Sequence, residues 1–135
     1  MLDLVKNNPA DKAEAGYEFT VVLPDGTETD AKIKVRGQNS PVVKAFGRKT
    51  FKEMQMREQR AKRTGKQEEE MTLEEAEEFA ARAAAVRVIG WSGIAEDGKE
   101  VVFSKDEAER IFLAYPFIRE QVMEESNNIL NFRHD

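Results

Sequence analysis

The sequence predicts an α+β fold in which an N-terminal β-hairpin is followed by a small bundle of four to five helices. Two observations carry that expectation. Tyr17, Phe19, Val21 and Leu23 alternate with polar neighbours, as do Ala31, Ile33 and Val35, on either side of Pro24-Asp25-Gly26; a two-residue period marks half-buried strands. Downstream, Ser40-Pro41, Thr72-Leu73-Glu74-Glu75 and Ser104-Lys105-Asp106-Glu107 each supply a hydroxyl that can cap the first amides of a helix. At 135 residues the chain has the length for one domain, 1–135, with one modest core.

Residues 1–16 read as a loose arm, polar and interrupted by Pro9. The hairpin spans 17–36, because proline pre-sets φ at the first turn position and glycine accepts the left-handed one. A lone hairpin is marginal in water, so its apolar face must cover helices or a partner. Gly37-Gln38-Asn39 connects to 40–132, which reads as mainly helical. The first helix runs from Pro41 to about Gly65, with Val43, Phe46, Thr50, Met54 and Ala61 on one side and Phe51 and Met56 off that stripe. The second starts after Thr72 and places Ala76, Phe79, Ala80, Ala83 and Ala84 at helical spacing. Val86-Arg87-Val88-Ile89 reads most simply as its continuation to Gly90. After an acidic turn ending in Gly98, Val101-Val102-Phe103 is extended. The third long helix turns Ala108, Ile111, Phe112 and Tyr115 inward, and Pro116 stops or kinks it. A last helix reaches about Ser126, and Ile129-Leu130-Asn131-Phe132 forms an apolar tail that docks back.

Composition sets limits on function. Charged residues make up 35% of the chain against 40% hydrophobic, which leaves a thin core and much solvated surface. The absence of cysteine excludes disulfides and fits a reducing compartment. Met1-Leu2-Asp3-Leu4-Val5 is too short for a signal peptide, and no apolar run approaches the ~20 residues that span a bilayer. The net charge of −5 hides a polarity. Lys44, Arg48, Lys49, Lys52, Arg57, Arg60, Lys62, Arg63 and Lys66 meet only Glu53 and Glu58, and seven glutamates follow between Glu68 and Glu78.

Groups suited to catalysis are scarce. The one histidine, His134, is next to last, where chains fray. With one histidine and no cysteine, transition-metal ligation lacks its usual donors. Glu74, Glu75 and Glu78 share helical spacing, which fits a solvated face better than a catalytic carboxylate pair. Gly90 and Gly93 flank Trp91 without the context of a phosphate loop. No catalytic, cofactor-binding or metal-binding residue is expected, and the chain reads as a non-enzyme without a cofactor.

Two binding readings compete. The basic helix could neutralise phosphates, yet its bases read as spread around the helix and the chain as a whole is acidic, so nucleic acid ranks second. The glutamate-rich helix is the alternative partner for those bases, each exposed pair adding only ~0.2–1 kcal/mol. Aromatic residues favour protein recognition. Trp91 is either a core anchor or an interface hot spot. Trp91, Phe103, Tyr115, Phe117 and Phe132 form the candidate partner-binding set, with Phe117 and Phe132, beside the proline break and near the terminus, best placed for exposure. The hairpin edges could also accept a strand.

The C-terminal segment carries a resemblance. Gly90-Trp91-Ser92-Gly93-Ile94, the acidic turn ending in Gly98, Val102-Phe103-Ser104, the helix with Asp106-Glu107-Ala108 and Ile111-Phe112, the aromatic-proline break, Ile118-Arg119 with Gln121-Val122, and Asn131-Phe132 together resemble the tail assembly chaperones of long-tailed bacteriophages over about residues 85–132. The resemblance implies a non-enzymatic protein of virion morphogenesis. It would bind and solubilise the tape measure protein and aid assembly of tail tube protein around it, in many relatives through a longer frameshifted product. Such a protein works in the host cell cytoplasm and is absent from the mature virion. It implies no cofactor and no membrane, and leaves homo-oligomerisation open. The alternatives are a small nucleic-acid-binding protein using residues 44–66 and a structural tail component.

Overall fold

The computed structural model describes residues 1–65 and 71–133; His134, Lys66 and the glutamates at 68–70 lie outside them. The fold is α+β. Along the chain come α1 (Pro9–Ala15), β1 (Tyr17–Val22), β2 (Glu28–Val35), α2 (Pro41–Thr64), α3 (Leu73–Ala85), β3 (Val88–Ser92), β4 (Ala95–Glu96), β5 (Lys99–Glu100), α4 (Lys105–Ala114) and α5 (Pro116–Asn127), closed by a 3-10 turn at Ile129–Phe132.

The expected hairpin is present, Tyr17 opposite Val35 and Phe19 opposite Ile33. Two expectations need correction. The arm at 1–16 is not wholly loose: Asn8 accepts the Ala10 amide at 3.0 Å, Pro9 sits in the first turn, and Ala13 is buried. The segment after α3 does not remain helical. It becomes β3, antiparallel to β2, with Val88 opposite Val35 and Trp91 opposite Ile33. Arg36 fixes the switch, its guanidinium donating to the carbonyls of Val86 and Val88 at 3.1 and 3.0 Å. The β-branched residues there favour a pleated, half-buried site once β2 supplies the other half.

The sheet order β1-β2-β3 leaves the hairpin's second strand in the centre. One face holds Phe19, Val21, Ala31, Ile33, Val35 and Val88, all buried, and joins a core with α3, α4 and α5. Alanines 81, 84 and 85 give α3 a flat inner side, which lets α4 and α5 approach closely. The side chain of Gln121 on α5 extends the sheet edge: it accepts the Val22 amide and donates to the Val22 carbonyl, both at 2.9 Å. Buried Ser126 donates to the Arg36 carbonyl at 2.5 Å, so α5 is tied to both ends of the hairpin region.

The helix starts follow their caps. Ser40, Thr72 and Ser104 accept from Val42, Glu75 and Glu107 amides at 3.2, 3.1 and 3.1 Å. Pro116 ends one helix and begins the next, with Tyr115 between them at φ −128°. β4 and β5 close around Asp97 and Gly98, both at positive φ, as a two-residue hairpin turn requires.

Candidate functional site

Three of the five aromatic candidates are structural. Trp91 stands edge-on to Phe103 and Phe112, with ring centroids 5.1 and 6.1 Å away, and its indole N–H donates to the Val101 carbonyl at 2.8 Å. That bond and Phe103 pin the extended strap at 101–103 onto the body. Phe132 corrects the expectation of exposure. It is 9% exposed, edge-on to Tyr17, and its ring fits the space left by the missing side chain of Gly37. The docked tail is as expected, although Ile129 and Leu130 remain outside.

Tyr115 and Phe117 do come together. They line an open cleft of about 510 Å³ floored by Ile94, Ile111 and Ile118, with Glu96 and Asp97 at the rim. The Tyr115 hydroxyl donates to Glu96 at 2.8 Å, and Arg110 bridges Glu96 and Glu107 at 2.7 and 2.6 Å. The bonds from Arg110 and then Tyr115 hold the Glu96 carboxyl below its usual range, and the same carboxylate pushes the Tyr115 hydroxyl up. An acceptor already engaged and a hydroxyl that keeps its proton make a rigid polar rim and a poor acid–base pair.

A second surface lies on α2. From residue 51 to 60 every side chain of this helix is exposed, so its distal half projects beyond the body. Phe46 stacks on Phe79 of α3 at 6.1 Å, and Arg57 reaches Glu75 at 3.4 Å. Between these contacts runs a groove in two adjoining cavities of about 220 and 380 Å³, which share Thr50, Glu53, Phe79 and Arg82. Met54 and Met71 line its outer end. On the same two helices, outside the groove lining, Phe51 and Leu73 leave 62% and 75% of their surface in water, although both are large and apolar. Among the described residues, no group of acids and histidine is arranged to hold a metal ion, and no helix is long and apolar enough to cross a membrane.

Sequence reasoning missed this second surface as a site. The signal was present: Phe51 and Met56 lie off the inward stripe of a helix otherwise rich in charge, and such residues have no intramolecular place to go. The intramolecular pairing expected between the basic and acidic helices reduces, among the described residues, to Arg57 with Glu75.

The model of a protein family described as YdaY prophage protein matches residues 46–135. The chain belongs to this family. It is therefore a phage-derived protein, and the matched span includes the distal half of α2 and the residues that line the groove and the Tyr115–Phe117 cleft. No curated protein and no solved structure matches the chain.

Proposed function

We propose that this YdaY-family protein is a non-enzymatic tail assembly chaperone, which seats apolar helical segments of the tape measure protein in the groove between α2 and α3. The reading rests on Met54 and Met71, exposed apolar side chains that line the groove, and on Phe51 and Leu73, large apolar side chains that the same two helices keep in water. An amphipathic client helix is the natural occupant of such a groove. Unbranched methionine side chains adapt to varied client sequences, which suits a long client of changing surface. Charges on both walls, Arg57 and Arg82 against Glu53 and Glu78, keep the surface soluble when empty. The Tyr115–Phe117 cleft supplies a second apolar contact, and delivery of tail tube subunits follows in the same host-cytoplasmic step, before the finished virion forms.

Co-expression with the tape measure protein of the same prophage tests the reading. The client is expected to become soluble and to co-purify with the chain, and to lose both properties when Phe51→Ser and Met54→Gln are introduced together. A client that stays insoluble with the unaltered chain present overturns it.

A further inference from the structure

The side of α2 turned away from the groove has a different chemistry. At 100° per residue, Lys44, Arg48, Lys52, Arg60, Lys62 and Arg63 fall within an arc of about 160°, and they extend along about 28 Å of helix. All six are exposed. Both glutamates of the helix, Glu53 and Glu58, fall outside the arc, and among the described residues only Lys62 of the six has an ion pair, to Glu58 at 3.7 Å. The impression of bases spread around the whole helix comes from Arg57, which turns to the groove and Glu75, and from Lys49, which lies near the arc's Arg60 margin and also lines the groove.

We infer that this outer face of α2 binds the phosphate backbone of duplex nucleic acid. Charge complementarity names a polyanion, and the composition of the arc selects among polyanions. A protein interface needs a buried aromatic or aliphatic anchor, whereas the arc's centre holds Lys52, Gln59 and Arg63, Gln55 lies one turn before Gln59 toward the Lys62 margin, and Met56 is the one large exposed apolar residue within the arc. Met54 points well away from it, and Phe51 lies just outside the Lys44 and Lys62 margin. A helix about 10–12 Å across fits a major groove about 12 Å wide. Lys44 and Lys62 on one margin and Arg60 on the other then face the two phosphate walls, and the glutamine amides face base edges or backbone oxygens. The acidity of the remaining chain repels a polyanion elsewhere and confines contact to this projecting face.

The test is binding of the full chain to a labelled mixed-sequence duplex of about 20 base pairs, measured by anisotropy. Engagement of four or five phosphates gives an affinity that falls about 150–500-fold between about 50 and 200 mM salt. The double variant Lys52→Gln, Arg60→Gln is expected to flatten the log–log salt slope by about 2, while Lys6→Gln, Lys99→Gln, which removes two exposed cations from other elements, leaves it unchanged. Equal slopes for the two variants overturn the inference, as does the absence of salt-dependent binding. Poly-glutamate binding as tightly as the duplex at the same salt overturns it in favour of an acidic protein partner. Client solubilisation is read separately with the same Lys52, Arg60 variant, so loss of one activity does not mimic loss of the other.

Discussion

Phe112 and Phe51 place the same side chain in two regions with opposite consequences. In the sheet-and-helix body Phe112 is fully buried, edge-on to Trp91. On the projecting half of α2, Phe51 keeps most of its surface in water. The body converts aromatic residues into packing, and α2 holds them ready for something else. Aromatic content therefore points to stability in one region and to recognition in the other, and exposure decides which.

The largest effect should come from exchanging these two. Phe112→Ala is expected to lower the unfolding free energy by about 3–5 kcal/mol, through lost burial and a residual cavity. Phe51→Ser should stay within about 0.5 kcal/mol, as surface substitutions do, while weakening client solubilisation. Denaturant midpoints measure both, and comparable losses of stability would erase the distinction between the regions.

Glycines sharpen the same contrast. At Gly93 φ is +76° and an added Cβ would lie 2.8 Å from the Asp30 carbonyl oxygen, so Gly93→Ala should destabilise by about 1–3 kcal/mol. At Gly47 an added Cβ meets nothing within 4 Å in the middle of an exposed helix, so Gly47→Ala should stabilise by about 0.5–1 kcal/mol. Thermal melts of the pair should move in opposite directions. Between them in size comes Gln121→Ala, which strips partners from the amide and carbonyl of Val22 and should cost about 1 kcal/mol. Its hydrogen-exchange signature is faster exchange at Val22 with the rest of β1 little changed.

Legibility in the sequence divided along the range of the interactions. The hairpin and the starts of α2, α3 and α4 were readable because a two-residue period, a Pro-Asp-Gly turn and a capping hydroxyl act within a few residues. β3 was not, because Val86–Ile89 is short and its conformation depends on β2 and on Arg36, far away in the chain. α1 had its signal in Asn8-Pro9 but too few residues to form a visible stripe. The aromatic candidates rest on residue type, and type does not reveal that Gly37 leaves room for Phe132 or that Val101 accepts the Trp91 bond. The exposure of Phe51 followed from α2 outrunning the body, a matter of relative element lengths that residue spacing alone does not express.

The smallest expected effect concerns the hinge where α2 leaves the body. Glu14 accepts from Arg36 at 3.1 Å and from the hydroxyl of buried Ser40, the residue that caps α2. Partial burial pushes the Glu14 carboxyl up, but the bonds from Ser40 and Arg36 and the charge of Arg36 outweigh it and hold the group below its usual range. A carboxyl depressed in the folded state contributes stability above its unfolded pKa, and that contribution disappears as pH falls through the depressed value. Glu14→Gln removes the titration. The stability gap between the unaltered chain and this variant should thus be present at neutral pH and close on acidification, by a small amount because the Glu14 side chain is 41% exposed. Melts across that range measure the gap, and a gap that widens toward acid would show that the Ser40 cap, and with it the root of α2, is held by something other than the Glu14 carboxylate.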